Sequence, residues 1–324
     1  KLLLTLGIKS NKKDDIPMTK RDVEILDISI RSSWNSENIA KVLTKIEDKV
    51  GKKPAYIISD NVATICKATR NNNSKHIRDV GHTLALLAER KYKNDPEFKS
   101  FTKEVAAVAF RENMKTTGYL LPPKQRTIAR FMNLSSLVHW SQRMLKIFSN
   151  LSDEEQKVFG FLKNHEPIIN ELTEVIRVHN QLLSTLKSKG LSFKNILDCE
   201  EYITPLFETP YLRVRQLANS IMSYLLEDFL KLENADCVWH CSSDIIESIF
   251  GTYKSRKSKN KLNGVTSLVL MLPILTKMNQ ENGKTNINFK KKLECVFLKE
   301  IKQWQEANLT ENLTLKRRSK LKVA

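Results

Sequence analysis

The chain has 324 residues and carries 54 Lys and Arg against 36 Asp and Glu, a formal net charge of +18. At roughly 100–200 residues per domain, that length predicts two domains and a sizeable core. A composition of 41 % hydrophobic and 28 % charged residues excludes a disordered chain. The longest apolar stretches, residues 2–8 (LLLTLGI) and 268–275 (LVLMLPIL), fall short of the ~20 residues that a membrane span needs. No secretory signal pattern follows Lys1, so a soluble, non-secreted protein is expected, and the non-Met start reads as a piece of a longer one. The 5 cysteines are too sparse for a disulfide scaffold, which predicts a reducing compartment. Cys237 and Cys241 flank His240, but no second ligand pair stands at zinc-finger spacing.

Residues 2–8 read as a buried strand, followed by a polar turn from Lys9 to Asp15, and residues 22–30 (DVEILDISI) read as a second strand. Asn35 or Ser36 caps a helix with apolar positions Ile39, Val42, Leu43 and Ile46, and Gly51 ends it. Pro54 leads into a short apolar strand, residues 55–60, with Asp60 at its C-terminal end. A short helix over 61–70, a strand from His76 to Val80 and a periodic helix from His82 to Lys93 complete an alternating α/β segment. From Phe98 to about Leu232 the pattern is helical throughout. Pro122-Pro123 breaks one helix, a basic helix follows from Lys124 to about Phe148, and Ser152-Asp-Glu-Glu155 is a capping box. Ile168, Leu172, Val175, His179, Leu182 and Leu186 form one stripe, so His179 reads as a satisfied core histidine rather than a ligand. Further helices are expected from Ser243 to Tyr253 and from Ser267 to Met278.

An excess charge of +18 attracts polyanions, of which nucleic acid is the commonest; the plainer alternative is a lysine-rich soluble surface. Two basic runs stand out: Lys254, Arg256, Lys257, Lys259 and Lys261, and then Lys316, Arg317, Arg318, Lys320 and Lys322. Such runs bind phosphate or remain as solvated tails. Asp60 has two readings, an acid at the sheet edge where α/β folds bind ligands, or the N-cap of the next helix. Asp79-Val-Gly-His82 is the second feature. The third is the helix from Ser243, which puts Glu247 and Lys254 on one face two turns apart.

The ordered set resembles the cut-and-paste DDE transposases, in particular a bacterial insertion-sequence type with a hAT-like layout. It comprises a strand ending at Asp60, a strand leading to Asp79-x-x-His82, a helical insertion, and a helix bearing Glu247 with Lys254 seven positions on. The Tyr and Arg that precede Glu in one insertion-sequence signature would fall at His240 and Ser243, so that part of the pattern is absent. The resemblance implies a mostly helical chain with an α/β RNase H-like core, a mixed sheet flanked by helices, interrupted by a large all-α insertion domain. The corresponding expected divisions are 1–95 for the first part of the core and 96–239 for the insertion. Residues 240–280 would be the final core part with the Glu helix, and 281–324 a C-terminal helix and basic tail.

The resemblance further implies two-metal phosphodiester hydrolysis and strand transfer at transposon ends, with Mg²⁺ or Mn²⁺ as cofactor. Hard divalent ions take carboxylate oxygens, which explains the residue types. Asp60 and Glu247 would be ligands, and Asp79 and His82 structural support. Lys254, Arg256 and Lys257 would contact DNA, as would Arg126 and Arg130 on the basic helix. Trp140 would stack on a base, with a core Trp as its other reading and Trp239 as the alternative stacking residue. The partners implied are double-stranded DNA, transposon end and target, and further copies of the chain, with no membrane; in a bacterium the protein would be cytoplasmic and nucleoid-associated. Counting strands back from Asp60 puts the strand bearing the first catalytic Asp upstream of Lys1. Asp27 is the one substitute, and in sheet order 3-2-1-4-5 it would lie well over ~10 Å from the metals, at ~4.8 Å per strand. This chain is therefore not expected to cleave DNA by itself. A catalytically inactive DNA-binding remnant and a basic helical scaffold are the competing readings.

Overall fold

The structure is a computed structural model that describes residues 1–8, 15–124, 131, 134–232, 237–257, 264–276, 288, 290–291, 294–309 and 313–322. The chain divides into two compact units. One unit is discontinuous, Lys1–Ile77 together with Val238–Ala324, and the other is Arg78–Cys237. A helical insertion within an α/β unit is thus present, but it begins at residue 78 rather than near 95. The expected turn from Lys9 to Asp15 falls almost wholly outside the described residues.

In the discontinuous unit, β1 (Leu2–Ile8) and β2 (Val23–Ile30) pair antiparallel, from Leu2 opposite Ile30 to Ile8 opposite Val23. The ladder shifts register between Thr5, opposite Asp27, and Leu6, opposite Ile25, so Leu26 is an extra, bulged residue. Strand side chains alternate between faces, and one inserted residue reverses that alternation. Val23 and Ile25 before the bulge and Ile28 and Ile30 after it therefore all reach the same core, together with Leu2, Leu4 and Leu6. Asp27 and Ser29 point to the other face, where the Ser29 hydroxyl donates to the Asp27 carboxylate. Gly7 makes room for the bulge: a Cβ there would lie 2.9 Å from Leu26 Cδ1.

Helix α1 (Ser36–Val50) starts at Asn35, whose side chain accepts from the Asn38 amide, and ends at Gly51 in the left-handed region, φ 71°. Strand β3 (Ile57–Ser59), helix α2 (Ala63–Asn71) and strand β4 (His76–Arg78) follow. β3 and β4 pair with each other, and Ser59 Oγ lies 2.8 Å from His76 Nε2. Among the described residues there are thus two separate two-stranded sheets, β1–β2 and β3–β4, and not the single mixed sheet the resemblance implied. The reason lies in the ladders: no described strand bonds β1 or β2 to β3 or β4.

The helical unit contains α3 (Val80–Tyr92), α4 (Pro96–Arg111), α5 (Leu134–Ile147), α6 (Asp153–Phe159), α7 (Phe161–Asn164), α8 (Glu166–Lys189), α9 (Phe193–Phe207) and α10 (Leu212–Leu230). The His76–Val80 strand of the sequence reading is shorter because Asp79 leaves the strand to cap α3. Ser152 and Glu155 form the anticipated capping box on α6. Phe98, Phe101, Leu134, Leu137, Ile169, Leu172 and Leu182 are fully buried and form the core of the helical unit. One guanidinium organises its polar interior. Arg213 Nε donates to Glu171 at 2.7 Å, its NH groups reach Asp95 and Glu97, and the Tyr92 hydroxyl donates to Glu171 at 2.6 Å. These carboxylates, Glu171 first, hold the Arg213 pKa above its usual value.

Returning to the discontinuous unit, α11 (Asp244–Arg256) follows the insertion. The apolar stretch near residue 270 forms a 3₁₀ turn (Ser267–Met271) and the short α12 (Leu272–Leu275) rather than one helix. Two further helices are α13 (Leu298–Asn308) and α14 (Leu313–Lys322).

Candidate functional site: the Asp60 strand and the Glu247 helix

Helix α11 is held to the β1–β2 pair by apolar contact. Ile245, Ile249 and Tyr253 are buried in one cluster with Leu4 and Val23, and Phe250 packs against it. A second tie is polar: Lys20 Nζ donates to Thr252 Oγ1 at 3.1 Å. With Ile245 and Ile249 turned inward, Glu247 lies in the first turn of α11 and is exposed, as is Lys254 two turns later. The acid is therefore not drawn into the core by its apolar neighbours, because helix periodicity places it on the opposite face.

Asp60 follows β3 directly and is half-buried. The N-cap of α2 is Val62, which has no capping side chain, so Asp60 does not occupy that position. An aromatic pair links the segment around Asp60 to the segment entering α11. Tyr56, just before β3, meets Trp239 edge to face, with ring centroids 5.4 Å apart and an interplanar angle of 84°. The Tyr56 hydroxyl accepts from the His240 backbone N–H at 3.1 Å. Burial pushes the Tyr56 phenol well above its ordinary pKa of 10.0, so it stays protonated. Trp239 is itself buried, at 8 % exposure, and its ring packs inside this unit instead of offering a base-stacking face. The sequence reading singled out Trp239 but missed Tyr56. An apolar strand entered by an aromatic is the one signal it left.

Asp79 and His82 belong to the helical unit. The Asp79 carboxylate, 1 % exposed, accepts from the His82 backbone N–H at 2.8 Å and lies 3.0 Å from His82 Nδ1. That is an N-cap reinforced by a ring nitrogen: the pair fixes the first turn of α3.

Trp140, the proposed stacking residue, donates its indole N–H to the Leu120 carbonyl at 2.9 Å and sets its ring against Phe159, centroids 6.3 Å apart. The ring is half-buried. Arg126 and Arg130 lie outside the described residues; the helix expected from Lys124 is described from Leu134. Arg256 is exposed and Lys257, just past α11, is half-buried. His179 is half-buried on the predicted stripe with both ring nitrogens out of solvent, and neither has a hydrogen-bond partner, so it is not the satisfied histidine the stripe suggested. A surface hollow of about 430 Å³ lined by Glu37, Lys41, Thr44, Lys45, Asp48 and Asn71 contains none of the predicted site residues.

Among the described residues, no group of three or more His, Cys, Asp or Glu side chains is placed to hold a metal ion. No metal-dependent step is assigned to Asp60 and Glu247. No described helix is long and apolar enough to cross a membrane. Compared with known proteins, the chain matches no family model and no curated protein.

Proposed function

We propose that this chain is a duplex-DNA-binding protein of the DDE transposase type, acting by phosphate recognition. The observation that carries the reading is the discontinuous unit. Helix α11, with Glu247, returns after residues 78–237 to pack its buried face on the β1–β2 pair. The Tyr56–Trp239 contact ties the entry to the same helix to the strand that leads to Asp60. The reading takes β1–β2 as the counterparts of strands two and three and β3–β4 as those of strands four and five; the two pairs themselves are what supports it. A net charge of +18 supplies the attraction for a polyanion. Lys254 and Arg256 stand exposed in the last turn of the Glu247 helix, accessible to a phosphate.

Titrating a labelled duplex with the chain at several salt concentrations tests this. Binding through phosphates gives a log–log slope of about −0.9 for each phosphate neutralised, with little dependence on sequence. An affinity that does not change between low and moderate salt, or no binding at low salt, would return the chain to the scaffold reading.

A further inference from the structure

Helix α14 (Leu313–Lys322) has a composition that restricts what can lie against it. It carries Lys316, Arg317, Arg318, Lys320 and Lys322 and no acidic residue. At about 100° per residue, Arg317, Arg318, Lys320 and Lys322 stand at roughly 100°, 200°, 40° and 240° from Lys316, so positive charge surrounds the axis. Leu313 and Leu321, 58 % and 68 % exposed, are interleaved with the cations and form no apolar face. All the side chains described from Lys316 to Lys322 are exposed.

Such a helix is poorly supported from within. Its like charges meet at i,i+4 (Lys316 with Lys320, Arg318 with Lys322) and at i,i+3 (Arg317 with Lys320), where each pair is destabilising. A partner must neutralise charge on several sides at once. A hydrophobic protein groove requires a helix with one apolar face, which α14 lacks, and an anionic membrane surface would meet only one side of a helix whose charge surrounds its axis. The major groove of B-DNA, ~12 Å wide, admits a helix ~10–12 Å across and has phosphates along both walls. The major groove of an RNA duplex is too deep and narrow for the same fit.

We propose that α14 is a DNA-contacting element that lies in the major groove of duplex DNA and is stabilised as a helix by phosphates on both sides. The proposal rests on the reading of the chain as a DNA-binding protein and names the element and the groove. It places the main phosphate contacts of this helix on Arg317, Arg318, Lys320 and Lys322.

The test compares the full chain with its R317Q/R318Q/K320Q/K322Q variant. These side chains are exposed, so an unchanged circular dichroism spectrum and urea midpoint show that the variant is folded. The expected result is a salt slope on duplex DNA shallower by about 3.6, at ~0.9 per contact. Helicity should also rise on DNA addition in the parent chain but not in the variant. Equal slopes for parent and variant would overturn the role of α14 and leave the DNA-binding reading standing. A parent chain that does not bind duplex DNA would remove that reading itself. Equally tight binding by an RNA duplex of the same sequence, or by vesicles of anionic phospholipid, would overturn the groove assignment.

Discussion

Replacing His179 with Leu should make the helical unit more stable, and by an amount that grows as the pH falls. His179 sits on α8 with both ring nitrogens buried and unpartnered. Burial lowers its pKa from 6.5 to about 4. At pH 7 the imidazole is neutral in both the folded and unfolded chain, and the variant gains only the cost of the unpaired polar group, about 1–3 kcal/mol. Because the folded pKa lies below the unfolded one, the unfolded chain takes up its proton first as the pH falls. Stability is lost from about pH 6.5 downward, and the loss saturates near pH 4. The gap between 6.5 and about 4 amounts to about 3 kcal/mol, at about 1.36 kcal/mol per pH unit. Urea unfolding at pH 7.5, 5.5 and 4.5, followed by far-UV circular dichroism, measures the difference between parent and variant at each pH. Parallel pH profiles for the two chains would refute the reasoning, because they would show that His179 takes up its proton equally in folded and unfolded states.

Two further substitutions test the local geometry. Gly7→Val should cost about 1–3 kcal/mol through the contact with the bulged Leu26, and Leu26→Ala in the same chain should recover most of the loss; urea midpoints of the two variants measure both effects. Asp79→Ala should destabilise α3 by about 1–2 kcal/mol, since it removes the cap and the partner of the His82 ring; slower amide exchange in α3 of Asp79→Asn than of Asp79→Ala would confirm that the cap is what was lost.

The local elements were legible because their causes are local. The apolar run of residues 2–8, the Asn35 cap and Gly51 stop of α1, and the Ser152-to-Glu155 box each depend on neighbours within a few positions. The change from alternating to helical character was also visible, and with it the existence of an inserted helical unit. Its true start, at residue 78, was not legible: α3 has the same period whether it packs on a sheet or on other helices, and contact with α8 and α10 decides which unit it joins. The same limit applies to single side chains. Trp140 and Trp239 carry aromatic rings equally suited to a base or to a core, and only the tertiary structure shows Trp239 buried against Tyr56 and Trp140 half-buried with its indole on the Leu120 carbonyl. Asp27 sits in an alternating strand whose simple continuation would bury it with Val23 and Ile25. The bulge at Leu26 turns it to the other face; the apolar positions of β2 change phase between Ile25 and Ile28, and pairing with β1 is what places the extra residue at Leu26. Sequence thus determined the propensities and periods, which are properties of short segments. Tertiary structure decided register, unit membership and which face each polar group presents, because those depend on partners far away in the chain.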